Sequence, residues 1–594
     1  MKDLHHFYNH RKNEFAKKCE ELKSKINRIA FGRTATALSI IPLIYLAFGQ
    51  AVFWYGVALL IVIFLMLVSR HGKVQTQYTL HQNLLKLNEL ELKALDHDYS
   101  AFDEGTPFSD PHHAFSYDLD LFGAGSLFQY LNRCGTDIGE VELAVNLNEP
   151  SFSKEEILQR QSAVNELSSN VEFRQHYWAL GHTYHDNKKE NKGLFDWLIA
   201  ADIVYRNRIY AALLIIFPAI SIGLILLTIY NSIYFPLLLV FAGIQWTIIS
   251  FRSKEIKLAE EALTHHKKIF DNYAKLLQLI AGADFQEDYL KSIQKEAHHA
   301  AECIKKFSHQ INAFESRQNA IANLFGNSLY LYDLQCLYRL EKWRSQYRND
   351  VKSWFKKIAE MDSLISLATL YFNHPENSFP IIKDQLAVRA TELGHPLIEP
   401  KERVSNTFTI GDPANIMLIT GANMAGKSTF LRSVGVNLIL AHCGSSVCAS
   451  ELVCPLLNLK TSMRATDSLV DHQSYFYAEL SRLKMIMEGV RSMKPTLVLL
   501  DEILRGTNSN DKHDGSVGLI EQFVSSKALV MLASHDVGLG ELQRKFPDAI
   551  RNYCFESDIE NDALSFDYTL HPGTAQKANA TFLMQKMGIL PSGE

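Results

Sequence analysis

The sequence predicts a multidomain protein with two transmembrane α-helical hairpins, an α-helical region of long helices, and a C-terminal α/β domain. Three observations carry this. Two stretches, Thr34 to Ser69 and Ile209 to Phe251, contain no Asp, Glu, Lys or Arg, although 21% of the 594 residues are charged. A proline-free run rich in Ala, Leu, Lys, Glu and Gln extends from Lys254 to Leu370, the composition of long antiparallel helices. After Asn373-His374-Pro375 the texture changes to short apolar runs alternating with helical patterns, which marks an α/β domain. With 47% apolar residues the chain has material for several cores and is neither disordered nor a small staple-dependent scaffold.

Residues 1–33 are densely charged and read as an amphipathic helix on the cytoplasmic side. Residues 34–69 follow as 36 uncharged positions, which fit two membrane passes better than one because a spanning helix needs about 20 residues. Gly49-Gln50 breaks this stretch near its middle, with Phe53, Trp54 and Tyr55 at the tip. At ~17 residues per pass the first hairpin barely covers the hydrocarbon core, so a re-entrant form is the alternative. Residues 70–208 read as a helical region, with Leu80, Leu84, Leu85, Leu87, Leu90 and Leu92 crowding one side of its first helix. Pro150 and the Ser151/Ser153 pair mark a turn and cap before Glu155 to Leu167. Residues 209–251 form the second hairpin, 43 positions broken at Asn231-Ser232, with Tyr230, Tyr234 and Phe235 at its tip.

Positive charges flank both hairpins at each end: Lys25, Arg28 and Arg33, then Arg70 and Lys73; Arg206 and Arg208, then Arg252, Lys254 and Lys257. The positive-inside bias therefore puts all four flanks in the cytoplasm, as in a multi-pass protein of the inner (cytoplasmic) membrane. Within the hairpins the only ionisable groups are Tyr phenols, which leaves no material for a proton or ion pathway; the hairpins read as anchors. Residues 252–379 form a long-helix region, its mixed-sign charges read as solvated faces. Residues 380–594 form the α/β domain. The net charge of -5 gives no basic field that would by itself imply nucleic acid. The eight cysteines form no Cys-x-x-Cys pair and no zinc spacing, and read as buried thiols of a reducing compartment.

The chemistry concentrates in the α/β domain. Ile416 to Ile419 is an apolar strand leading into Gly421-Ala422-Asn423-Met424-Ala425-Gly426-Lys427-Ser428, with a helical pattern from Thr429. This is the strand-loop-helix context of a P-loop. Gly421 and Gly426 let backbone N–H groups wrap a phosphate, Lys427 reaches the β- and γ-phosphates, and Ser428 ligates Mg²⁺. The buried strand Leu497 to Leu500 ends in Asp501-Glu502, where Asp501 suits the Mg²⁺ shell and Glu502 suits the attacking water. A third strand, Ala528 to Ala533, leads to Ser534-His535, whose imidazole is placed to sense a γ-phosphate.

Together, Thr420 to Thr429 (TGANMAGKST), Leu499 to Thr507 (LLDEILRGT) and Ala533-Ser534-His535 resemble the ABC-type ATPase domain of the MutS family of DNA mismatch repair proteins. The Asn423-Met424 pair is the sharpest mark. Gly394-His395-Pro396, Asn406, Ser474-Tyr475-Phe476 with Glu479, and Gly573 to Pro591 extend the resemblance over about 215 residues. A weaker similarity to the family's helical core runs from Phe122 to Leu180, and the resemblance implies a core-like region at 70–208 and a lever and core region at 252–379, with the lever helices in part of residues 254–370. The resemblance implies ATP and Mg²⁺ as ligands and DNA as partner. It also implies a homodimer in which Ser474 of one subunit approaches the nucleotide held in trans by the other, with Arg505 to Asp511 at the same interface.

The departures matter too. In the place of the family's mismatch-reading domain stand a charged segment and the first hairpin. Phe102-Asp103-Glu104 and Phe285-Gln286-Glu287 fit its Phe-x-Glu wedge only by chance. Ala425 replaces a glycine, Arg403 and Val404 replace an aromatic, so the adenine must stack elsewhere, and the chain stops soon after Pro591. The expected activity is ATP hydrolysis driving a clamp on mismatched or structured DNA. The alternative is a mechanochemical clamp on a membrane or protein partner.

Overall fold

The uncharged stretches become helix, and neither Pro42 in the first nor Pro218 in the second ends the helix that contains it. The structure is a computed structural model that describes residues 2–150, 152–184, 197–198, 200–263, 267–422, 424–464, 475–491, 494–560 and 563–576. Helix α1 (Lys2–Ala47) is one 46-residue rod, and α2 (Phe53–Leu95) is another of 43 residues. The boundaries expected at residues 33 and 69 are therefore not breaks in the backbone. Charged and apolar segments share continuous helices of roughly 65–70 Å, more than twice the thickness of a hydrocarbon core. The chain reverses at residues 48–52, around the expected Gly49-Gln50 break.

Two compact units form. One comprises Met1–Leu92, Cys134–Val141 and Asn170–Ser363; the other comprises Lys93–Arg133, Glu142–Ser169 and Leu364–Glu594. The 70–208 region, read from the sequence as one helical body, thus contributes to both.

In the first unit Phe15 of α1 packs with Leu84 and Leu87 of α2 and with Trp178 and Ala179. Helices α3 (Arg208–Tyr230) and α4 (Phe235–Ser250) form the second hairpin, α3 starting on an Asn207 cap whose side chain accepts the Ile209 N–H. Among the described residues, four helices are long and apolar enough to cross a membrane: α1, α2, α3 and the span Ser232–Ser250. Ile215, Leu226, Leu239 and Val240 lie exposed on α3 and α4, an apolar surface larger than a protein in water keeps.

The lever region folds as α5 (Lys267–Ala281), α6 (Asp288–Glu315), α7 (Ala320–Tyr330) and α8 (Tyr332–Asn373). Phe307 stacks on Trp343 with ring centroids 3.8 Å apart, and Phe270 meets Phe307 edge-on. A buried polar network fixes the chain just before α3. Arg344 lies 2.8 Å from Asp202 and donates to the carbonyls of Trp197 and Ala201, while Glu341 accepts the N–H groups of Val204 and Tyr205. Phe102 and Phe285 are both buried, the first under the Arg133 guanidinium and the second against Phe173, so neither protrudes as a wedge. All eight cysteines are buried and free.

The second unit holds two sheets. A four-stranded sheet has the order β1-β5-β2-β3, from β1 (Ile381–Ile382), β2 (Val388–Leu393), β3 (Asn406–Ile410) and β5 (Glu451–Cys454). A six-stranded sheet has the order β10-β9-β4-β8-β7-β6. Its strands are β4 (Ile416–Gly421), β6 (Asn458–Ser462), β7 (Thr496–Asp501), β8 (Leu529–Ser534), β9 (Ile550–Glu560) and β10 (Ala563–Pro572). Strands β6, β7, β8, β4 and β9 pair in parallel, and only the β9–β10 pair is antiparallel. Every residue of β4, β7 and β8 is buried, because helices cover both faces of a parallel sheet. Ile416, Leu418, Val498, Leu500, Val530 and Leu532 share one core with Ile486 and Phe523.

Removing one partner of a buried ion pair strands the other charge, at about 3–5 kcal/mol. Arg344→Ala is expected to destabilise the first unit by about that amount, read as a lower denaturation midpoint by tryptophan fluorescence. Arg344→Lys is expected to recover only part, since one ammonium cannot serve Asp202 and two carbonyls in the planar fork arrangement.

Candidate active site

Parallel register brings three strand ends together. Thr420 of β4 pairs with Ser534 of β8, and Asp501 of β7 pairs with Ala533, so Gly421, Asp501-Glu502 and His535 emerge side by side at the carboxyl edge of the sheet. This edge is where α/β sheets collect ligands. The chain beyond Gly421 enters α9 (Lys427–His442), with Gly426 at φ 104° as its N-cap residue. A side chain there would be strained, and it would also press on the Tyr568 ring, whose Cδ1 lies 3.1 Å from an ideal Cβ.

Lys427 is buried, and its Nζ donates to the carbonyls of Gly421 and Ala422, each at 2.8 Å, with His535 Nδ1 3.4 Å away. Burial lowers the ammonium below the ordinary lysine range, against the pull of Glu502 and Asp501. Ser428 Oγ donates to Asp501 Oδ2 at 2.5 Å. Burial raises the Asp501 carboxyl while that hydrogen bond opposes the rise, and Asp501 Oδ1 is buried with no partner. An orphaned carboxylate oxygen beside a hydroxyl fits a hard divalent cation, which would supply the missing charge.

Glu502 follows at φ 49°, a conformation uncommon outside glycine, and its N–H is held by the Ala533 carbonyl at 2.9 Å. Its carboxylate Oε1 meets His535 Nε2, while His535 Nδ1 bonds the Gly421 carbonyl at 2.8 Å. The His535 hydrogen bond is the main reason that the Glu502 carboxyl is held down to about 2, with Arg505 and Lys427 adding to it. Arg505 Nε donates to the Glu502 carbonyl at 2.9 Å and lies 3.3 Å from its carboxylate.

Of the other residues singled out from the sequence, Met424 is exposed at φ 67°, Ala425 is buried, and Thr429 is an exposed residue of α9, which begins two residues before the start expected there. Burial of the Ala425 methyl means that the loop takes a small side chain at that position. Asn423, Ser474 and the last part of Gly573 to Pro591 lie outside the described residues.

Three contributors escaped the motif spacing. Glu479, on α10 (Tyr475–Arg491), is buried and accepts the N–H groups of Leu504 and Arg505 at 2.5 and 3.1 Å, so it holds the turn that carries Glu502. Its carboxyl is raised by burial against those two bonds. His513, on α11 (Ser509–Val524), bonds Asp536 at 2.6 Å and ties the helix after that turn to the residue after His535. Tyr568 stands at φ 53° in the irregular stretch of β10, where Asn406 bridges its carbonyl and the Leu570 N–H. Glu479 was visible as part of the sequence resemblance but not its task; no signal pointed to Tyr568.

Comparison with known proteins matches this region. Residues 417–592 fit the family model described as MutS domain V. The C-terminal region is MutS-like. The chain is 30% identical over 237 residues to the DNA mismatch repair protein MutS of Thermotoga sp. (strain RQ2). It is 31% identical over 238 residues to that of Bacillus velezensis, and 28% over 267 residues to that of Bacillus subtilis (strain 168). These alignments cover 39, 39 and 44% of this chain and 29, 27 and 30% of the relatives, so the chain spans less than a third of the length of the curated relatives it matches.

Two outcomes follow from the geometry. Glu479→Ala leaves two N–H groups without acceptors, at about 1–3 kcal/mol each. It is expected to lower both the melting temperature and the turnover number while nucleotide affinity holds, measured by thermal shift and nucleotide titration. Because the Glu502 carboxyl is depressed from 4.5 to about 2, its contribution to stability is present above pH 4.5 and is lost as pH falls toward 2. The melting-temperature gap between wild type and Glu502→Gln is thus expected to shrink as pH falls from 4.5 toward 2.

Proposed function

We propose that this chain is a membrane-anchored, MutS-like ATPase whose ATP-driven homodimer clamps mismatched or structured DNA, with a role in mismatch repair or DNA-structure recognition. The observation that carries the ATPase reading is the convergence of Lys427, Ser428–Asp501 and Glu502–His535 at the ends of three neighbouring parallel strands. In this reading the 421–428 loop and the α9 N-terminus bind the phosphates. Lys427 exchanges its two carbonyl partners for β- and γ-phosphate oxygens. Ser428 Oγ and Asp501 hold Mg²⁺, which would neutralise charge building on those oxygens. Tyr568, half-exposed beside Gly426, offers the aromatic face for the base that the sequence lacks before Asn406.

A carboxylate held near 2 is too weak a base to take a proton efficiently. Glu502 therefore has to leave His535 before it can activate water, and His535, freed, is available to a γ-phosphate. The contact between them is a resting state that nucleotide would undo. Arg505 and the turn held by Glu479 move with it, and Ser474 of the second subunit would complete the site in trans.

The MutS likeness of the C-terminal region supports the DNA reading, and the four apolar helices support the membrane setting. The anchored chain lies in the inner (cytoplasmic) membrane with its soluble parts in the cytoplasm. A second reading, a mechanochemical clamp on a membrane or protein partner, is favoured by the buried Arg344 and Glu341 network, which ties the lever helix α8 to the chain entering the second hairpin.

Purified protein is expected to hydrolyse ATP, with Lys427→Ala and Glu502→Gln each slower by about 10²–10⁴-fold. Glu502→Gln is further expected to retain mismatched or branched DNA in an ATP-dependent, salt-sensitive complex. Hydrolysis that no DNA alters, with no such complex, would move the assignment to the second reading. Loss-free hydrolysis in both variants would overturn the site itself.

A further inference from the structure

One segment of the lever does not behave like the rest. Between Arg317 and Asp333 lie 15 residues without a charge, inside a region otherwise dense in Lys and Glu. They form α7, which starts on Asn319, whose side chain accepts the N–H groups of Ile321 and Ala322. The helix packs on α3 and α4, the apolar hairpin. Gln245 of α4 is fully buried there, and its Nε2 donates to Ser221 Oγ of α3 at 3.1 Å and to the Ser328 carbonyl of α7 at 2.8 Å. Trp246 Nε1 donates to Ser328 Oγ at 3.1 Å. An amide NH2 group inside an apolar hairpin is tolerable when a neighbouring helix accepts from it, and α7 is that neighbour, while Gln245 Oε1 is buried without a partner.

The side of α7 turned away from the buried Gly326 and Asn327 shows Ile321, Leu324 and Phe325, with 70, 55 and 60% of their surface exposed, and Ser328 lies along the same face. Their spacing puts them on one helix face. The contact level fixes what covers that face. Ser221 lies nine residues before Tyr230 and Gln245 ten after Phe235, so the Ser328 contact sits roughly 15 Å from the hairpin tip, about half of a ~30 Å hydrocarbon core. The charges return only where the segment closes on itself: Arg317 lies 2.7 Å from Glu260 and 3.4 Å from Asp333, and Tyr332 OH donates to the Ala313 carbonyl. Leu331, at φ 55°, makes the sharp turn out of α7. Fifteen residues are too few to span, and both ends meet at one place.

We infer that residues 318–332 are a re-entrant membrane element, with Ile321, Leu324 and Phe325 in contact with the acyl chains of the bilayer that holds α3 and α4. This rests on reading α3–α4 as a membrane hairpin. The lever's turn between α6 and α8 is then set in lipid, where it cannot close around a soluble partner.

Single cysteines at Phe325, at Ile321 as an independent site, at Leu239 of α4 and at Glu302 on the exposed side of α6 carry an environment-sensitive fluorophore. The native cysteines are buried and do not compete. The full chain is reconstituted in phosphatidylcholine–phosphatidylglycerol vesicles and probed with doxyl lipids and with aqueous iodide. Phe325→Cys and Ile321→Cys are expected to match Leu239→Cys, with blue-shifted emission quenched by doxyl lipid, while Glu302→Cys answers only to iodide. Iodide quenching at residues 321 and 325 with lipid quenching at 239 overturns the inference and leaves the hairpin standing. Iodide quenching at all three overturns the hairpin reading as well.

Discussion

The carbonyl oxygen of Gly421 is the point on which the second unit's chemistry depends. It accepts from Lys427 Nζ and from His535 Nδ1, each at 2.8 Å, and thereby joins the loop after β4 to the residue after β8. Gly421 itself stands at φ 155°, and a Cβ there would lie 2.7 Å from the Phe555 carbonyl on β9. The strand end can take this position because β4 runs between β8 and β9, with its residues buried on both faces. Sheet register, loop chemistry and the placement of the two carboxylates are one constraint.

The polar groups of this site neutralise one another. Lys427 rests on carbonyls, Glu502 on His535, and Ser428 on Asp501. Asp501 Oδ1 stays unsatisfied, and burial has already raised that carboxyl. A site arranged in this way gains most from a ligand that brings phosphate oxygens and a cation together, because either alone would leave a buried charge unmatched. Glu479 and the His513–Asp536 pair brace the two turns on which the change must act.

The first unit joins water-facing and apolar chemistry through single elements. Helices α1 and α2 carry both without interruption. The chain entering α3 is held by Arg344, Glu341 and Asp202, all buried, and α7 brings a backbone carbonyl to Gln245. In each place a polar group within an apolar environment has its partner on a different segment, which is how a hairpin acquires a fixed orientation toward its neighbours.

The sequence by itself determined a good deal. Charge-free length specified the four apolar helices, since nothing else in the chain matches their composition. The three strand-ending motifs at Gly421, Asp501-Glu502 and Ser534-His535 were legible because a parallel sheet needs short, wholly apolar strands and leaves its polar residues at their ends. Strands β2, β5, β6, β9 and β10, and the division of residues 70–208 between two units, were decided only by tertiary structure. Their alternating or mixed patterns suit an edge, a loop or a helix equally well until a partner strand selects one. Glu479, Tyr568 and Gln245 belong to the same class. Each is an ordinary residue whose role exists only because a distant segment supplies the other half of its contact.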